Sequence, residues 1–165
     1  MTFNEVFQTI VELSDGLPYL FQRADVRFAF GDGRPYIGDW SDPENLGLLV
    51  TGDGVGSESG VYYFGSPEGE VLYIGKATKN NLHHRVWDHL RTPEIRADGR
   101  RVFPKHGFAG DGHDSEFTMQ MINGEARLGI VTISDPDLIS LVEVYLQTVY
   151  RKRHGRLPVF NKQIG

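Results

Sequence analysis

The chain has 165 residues, of which 39% are hydrophobic, 24% charged and none cysteine. That length suits one domain, or one domain with an appendage. The lack of thiols excludes disulfides, cysteinyl zinc sites, thiol nucleophiles and CxxC redox chemistry. The net charge of −5 argues against a polyanionic partner, but its distribution does not. Residues 76–106 hold eight Lys or Arg against three acids, residues 151–162 hold five more and no acid, and the remainder carries −15. Such a chain presents a basic surface whose local field, rather than the total charge, governs phosphate binding. From charge alone, two solvated basic faces are an equal reading. No stretch approaches the roughly 18 apolar residues of a membrane span. The N-terminal MTFNEVFQTIVELSDG has no basic flank and carries two glutamates, so it does not read as a signal peptide, and a cytoplasmic location is expected.

In chain order, residues 3–14 predict a helix, with Phe3, Val6, Phe7, Ile10, Val11 and Leu13 at helical spacing, stopped by Ser14-Asp15-Gly16. Residues 25–30 alternate like a strand, and a hairpin through GDGR to YIGDW is expected. A Gly-, Asp-, Ser- and Pro-rich stretch over 41–59 places a module boundary near Asp53–Ser59, dividing residues 1–58 from 59–165. The aromatic, β-branched runs GVYYFG and EVLYIG, joined by SPEG, predict a hairpin. Lys79 to Leu90 reads as a helix with Leu82, Val86 and Leu90 inward, ended by Pro93. Residues 92–115 read as a long basic loop, of the kind that is usually functional or disordered. FTMQMI and ARLGIVTI are expected as strands about a type I′ turn at Asn123-Gly124. Asp135 and Pro136 open a long helix through LISLVEVYLQTVY, capped by Gly155.

Within these elements a few side chains can carry chemistry. Tyr62 and Tyr73 are eleven residues apart across a tight hairpin, which brings them near each other on adjacent strands. Ordinary strand aromatics give the same pattern. On a wheel with Leu82 at zero, His89 lies at about −20° and Arg85 at about −60°. Both border the buried stripe, where a guanidinium fork can meet a phosphate and an imidazole can carry a proton. A pair that merely snorkels fits equally. Glu143 interrupts the apolar run LISLVEVYL; if partly buried, it needs a charge partner or a metal, and otherwise it is a solvated border residue. Asn161 follows Leu157-Pro158-Val159-Phe160, where an amide can hold a backbone in place.

Taken together, Gly-Val-Tyr, ten residues, Tyr-Ile-Gly-Lys, Arg85 with His89 four residues on, a late-helix glutamate and Pro-x-x-Asn resemble the GIY-YIG nuclease superfamily over about residues 59–163. The resemblance implies a small α/β (α+β) domain, with a central three-stranded antiparallel sheet flanked by helices. It also implies phosphodiester hydrolysis in DNA with one divalent cation, Mg²⁺ or Mn²⁺. By the same resemblance Tyr62, Tyr73, Arg85, His89 and Glu143 are the catalytic set, with Glu143 the metal ligand. Tyr62 is then the expected general base if its pKa is lowered, with His89 its rival, and Tyr73 orients water or substrate. Lys76, Asn161, Arg100, Arg101 and Lys105 are expected to contact substrate, the basic loop and the 151–162 tail following the backbone without reading bases. Duplex and single-stranded DNA, and RNA, remain open as substrates. The alternative is an inactive nucleic-acid- or protein-binding module on the same fold. Two departures stand out: the twelve-residue step from Tyr73 to Arg85 and the length of the 92–115 loop. Residues 1–58 lie outside the resemblance and hold three arginines against ten acids. They make a poor DNA clamp, and are expected to pack on the domain, dimerise or bind a protein.

Overall fold

Strand β2 (Gly60–Gly65) is the axis of the molecule, buried on both faces and paired on both edges. On one side lies β3 (Val71–Ala77), on the other β6 (Arg127–Ile133), and β1 (Val26–Phe28) adds to the far edge of β6, giving the antiparallel order β1-β6-β2-β3. A separate two-stranded ribbon joins β4 (Glu94–Ile95) to β5 (Arg101–Val102). The structure is a computed structural model and describes residues 1–30, 36–39, 54–108 and 115–165. Among the described residues the fold is α+β, with five helices: α1 (Phe3–Gly16), α2 (Pro18–Phe21), α3 (Leu82–Leu90), α4 (Ser115–Ile122) and α5 (Pro136–His154).

Strand alternation sorts the core into two layers. Tyr62 and Phe64 point to one face of β2, where they meet Leu82, Val86 and Leu90 of α3 together with Phe103, Phe108 and Phe160. Val61 and Tyr63 point to the other, against α1 and the Ile139, Val142 and Leu146 stripe of α5. Helix α1 starts with a reciprocal cap, Thr2 accepting from the Glu5 backbone and Glu5 from that of Thr2. Its stripe Phe3, Val6, Ile10 and Leu13 is buried in the second layer. The described part of residues 1–58 thus packs on the rest of the chain through α1 and widens its sheet through β1. The start of α5 is capped by Asp135 with Pro136 in its first turn, and Gly155 closes it at φ 71°.

Several expectations are corrected. The sheet has four strands rather than three, because β1 pairs with β6 instead of folding back on a YIGDW strand. Within that motif Tyr36–Asp39 form a turn closed by the Asp39 N–H on the Tyr36 carbonyl, and Trp40 lies outside the described residues, as do 31–35, 41–53 and 109–114. FTMQMI is not a strand but most of α4. Its alternating Phe117, Met119 and Met121 mimic a strand, yet Met119 is exposed while Met121 is buried. Met and Gln favour helix, and six residues leave the period ambiguous. Asn123-Gly124 therefore ends a helix rather than turning a hairpin.

Gly124 has φ 71°, and a Cβ there would lie 2.5 Å from the Arg101 carbonyl oxygen and 2.7 Å from the Gly38 Cα. Both obstacles are backbone. Gly124→Ala is expected to cost about 2–4 kcal/mol, combining left-handed strain with a clash that no rotamer relieves. Urea denaturation of the two proteins measures it; a loss under about 0.5 kcal/mol, the scale of a neutral surface change, would contradict this packing.

Candidate active site

The predicted residues meet around the outer edge of β3. Tyr62 pairs across the sheet with Gly75, and Tyr73 sits diagonally on the same face, their rings 6.0 Å apart. Helix α3 lays His89 over this pair: its Nε2 is 2.9 Å from the Tyr62 hydroxyl, and its ring centroid is 4.7 Å from that of Tyr73. Phe108 stacks on His89 at 4.6 Å, nearly parallel, and Phe160 stacks on Phe108 at 5.0 Å. This aromatic casing keeps water away from the Tyr62–His89 hydrogen bond.

Burial sets the protonation of both partners. Tyr62 is fully buried, and desolvation pushes its phenol well above its ordinary pKa of 10, with Tyr73 adding to the rise and Arg85 opposing it. The expected lowering of the Tyr62 pKa is thereby corrected: lost hydration outweighs the nearby guanidinium. Tyr73 is also raised by burial, with the Tyr62 hydroxyl and the Arg85 charge opposing the rise. His89 moves the other way, down to about 4, through desolvation first and the Arg85 charge second. All three groups are neutral at pH 7.

The opposite face of β3 supplies the charges. Glu143, in the middle of α5, is 5% exposed. Lys76 Nζ lies 2.6 Å from its Oε2, an ion pair that bridges strand and helix. Among the described residues no donor makes an aligned hydrogen bond to that oxygen, so Glu143 is a buried carboxylate that relies on Lys76 for its charge partner. Arg85 is nearly half exposed on α3; its Nε lies 3.4 Å from the Lys76 carbonyl and its Nη1 3.8 Å from Asp88.

Asn161 fixes this edge. Its amide oxygen accepts from the Ile74 N–H at 2.9 Å, and its Nδ2 donates to the Ile74 carbonyl at 2.8 Å. With both amide ends on the backbone, Asn161 positions the strand, and it also lines the adjacent cleft. Gln147, one turn beyond Glu143 and buried, donates to the same carbonyl at 3.1 Å and accepts from the Gly165 N–H. Sequence reasoning missed Gln147, although a second polar residue four positions from Glu143 on the apolar arc was a readable signal. It also missed Phe108, for which no local signal exists.

A cleft of about 280 Å³ opens onto these groups, lined by Tyr73, His89, Phe108, Glu143, Gln147 and Lys162 among others. Tyr62 does not line it and reaches it only through Tyr73 and His89. The remaining predicted contacts lie elsewhere. Arg100 lines a different cavity, its Nε 3.9 Å from Asp39. Arg101 is 2% exposed, so it serves the interior rather than following a nucleic-acid backbone. Lys105 is exposed but does not line the cleft. A cavity of about 660 Å³ between α1 and the β2–β3 turn holds none of the predicted residues. No described helix is long and apolar enough to cross a membrane. Comparison of the chain with protein-family models, with curated proteins and with solved structures gave no match.

The His89 environment gives a direct test. A histidine whose folded pKa lies below its unfolded value binds fewer protons when folded, so stability is full above about pH 6.5 and falls as the pH drops toward about 4. The loss is on the order of 2–3 kcal/mol. In an imidazole NMR titration His89 is expected to show a midpoint near 4. A midpoint near the ordinary 6.5 would mean that the ring is solvated and the casing open.

Proposed function

We propose that the chain is a metal-dependent endonuclease of the GIY-YIG type, hydrolysing phosphodiester bonds in DNA. The observation that carries this reading is the convergence on one sheet edge of the Tyr62–His89 hydrogen bond with the Tyr73 ring beside it, the Arg85 guanidinium and the buried Glu143 carboxylate. The motif residues are separated by up to 81 positions in the sequence, and an accidental pattern has no reason to gather them.

The cation fits Glu143. Glu143 would hold a hard ion, Mg²⁺ or Mn²⁺, through one carboxylate with the ion's own waters completing its shell. Such an ion, when bound, would neutralise phosphoryl charge and lower the pKa of a coordinated water. Arg85, at the rim and held by β3 and Asp88, presents its fork to the non-bridging oxygens of the scissile phosphate. The attacking water passes its proton to the Tyr73 hydroxyl oxygen at the cleft wall; Tyr73 passes its own to Tyr62, and Tyr62 passes its own to Nε2 of neutral His89. As the water oxygen bonds to phosphorus the bond to the 3′ oxygen breaks, and that oxygen takes a proton from solvent. His89 ends as imidazolium beside the phosphate and returns its proton to solvent. A phenol held neutral by burial is a poor base alone but a good relay between a water and an imidazole.

Incubation of the protein with plasmid and single-stranded DNA, with and without Mg²⁺ or Mn²⁺, is expected to show cation-dependent cleavage that Glu143→Gln abolishes and Arg85→Ala lowers by a factor of about 10³ or more. Intact DNA under all conditions would favour the binding-module reading. Tyr62→Phe and Tyr73→Phe each break the relay while keeping the ring, and each is expected to slow single-turnover cleavage about 10²-fold or more. Full activity in Tyr73→Phe with a dead Tyr62→Phe would place the water on Tyr62 directly.

A further inference from the structure

We propose that Lys76 is a resident counterion of Glu143 that changes partners during assembly of the site. It holds the carboxylate in the free protein and moves to a phosphate oxygen when a divalent cation takes that carboxylate. The inference rests on the nuclease reading and adds to it an order of assembly, in which cation and nucleic acid each help the other to bind.

Glu143 is almost wholly buried, and its one charge partner among the described residues is the Lys76 ammonium at 2.6 Å. A buried carboxylate left bare is strongly disfavoured. Its polar neighbours cannot take over: Asn161 has both amide ends on Ile74, and Gln147 bridges Ile74 and Gly165. Lys76 is differently placed. Its side chain is 31% exposed, and a flexible four-carbon stem with a compact charge swings between acceptors at little cost. The strand fixes where it swings from, because the Lys76 carbonyl is the group Arg85 touches. The ammonium therefore starts on the carboxylate, while the guanidinium assigned to the phosphate rests on the backbone of the same residue.

Charge counting then gives the coupling. A dication arriving alone meets Glu143 with the Lys76 ammonium still on it, so three positive charges, two on the ion and one on the lysine, face one carboxylate. A phosphate arriving with it supplies the missing anion and gives the displaced ammonium a new partner. Each ligand removes an obstacle to the other, and the effect is reciprocal by linkage.

The test is Mn²⁺ binding to the full chain, followed by the electron paramagnetic resonance of free Mn²⁺. Lys76→Met is expected to bind Mn²⁺ at least tenfold more tightly than wild type, Lys76→Arg about as wild type, and Glu143→Gln to lose the site. Lys76→Gln offers the carboxylate a neutral donor, and makes the same comparison if the methionine variant does not fold. A phosphorothioate-backbone oligonucleotide is expected to tighten Mn²⁺ binding at least fivefold in wild type and less than twofold in Lys76→Met. In EDTA the Met variant is expected to melt lower than wild type and to gain more from added Mn²⁺. Binding that depends on Glu143 but is unchanged or weakened in both Lys76→Met and Lys76→Gln overturns the exchange and leaves the metal site standing. Mn²⁺ binding indifferent to Glu143→Gln, or absent throughout, removes the metal reading and the exchange together.

Discussion

The peptide unit at Ile74 is the fixed point of this molecule. Strand β3 is the outer strand of its sheet, and an outer strand normally leaves alternate N–H and C=O groups facing solvent or a stray partner. Here the C-terminal segment closes the edge, with the Phe160 N–H on the Leu72 carbonyl and both Asn161 amide ends on Ile74. Gln147 adds a second donor to the same carbonyl from α5. Strand, tail and helix are thereby locked in one register, on which the candidate site depends. Alternation about Ile74 sends Tyr73 to the α3 face and Lys76 to Glu143 on α5. A slip by one residue would exchange those faces and take the site apart.

With the strand fixed, the site divides by polarity. Inside, Tyr62 and His89 share a hydrogen bond within an aromatic casing, and burial shifts both toward the neutral form: the acid up, the base down. At the rim stand the permanent charges, Arg85 half exposed and the Lys76–Glu143 pair at the edge of the helix. The neutral hydrogen-bonded pair is thus set apart from Arg85 and Lys76, which reach solvent, while the Glu143 carboxylate is buried against the lysine.

What the sequence disclosed follows from range. Short-range signals were legible: the cap and first turn of α5, the α1 stripe, and the β2–β3 hairpin with its two tyrosines. So was the choice of Glu143, because a carboxylate in an apolar helix demands a partner. The partner itself was visible only as a lysine after Tyr-Ile-Gly, since nothing local says that β3 and α5 face each other there. Arg101 shows the converse failure. In sequence it belongs to a basic run with Arg100 and Lys105, and only the fold reveals that it is buried. Helix α4 was misread because six residues of alternating Phe and Met fit both periods, and tertiary packing of Met121 decided between them.

The Tyr-Ile-Gly motif also has a meaning that involves no chemistry. A Cβ on Gly75 would fall 2.6 Å from the Tyr73 ring and 2.8 Å from the Tyr62 hydroxyl. The glycine is therefore the floor on which the two tyrosines rest, and any side chain there would push them from His89. Motif glycine and motif tyrosines explain one another as packing, so their joint presence argues for the sheet before it argues for an enzyme. The chemical reading draws its weight from residues that packing does not require. Leucine at position 143 would suit the apolar stripe of α5 better than a buried carboxylate, and many residues would serve at the exposed positions of Lys76 and Arg85. A buried ion pair is rarely the cheapest way to join a strand to a helix. That one stands here, at a cleft lined by Tyr73 and His89, is the feature of the site that packing alone leaves unexplained.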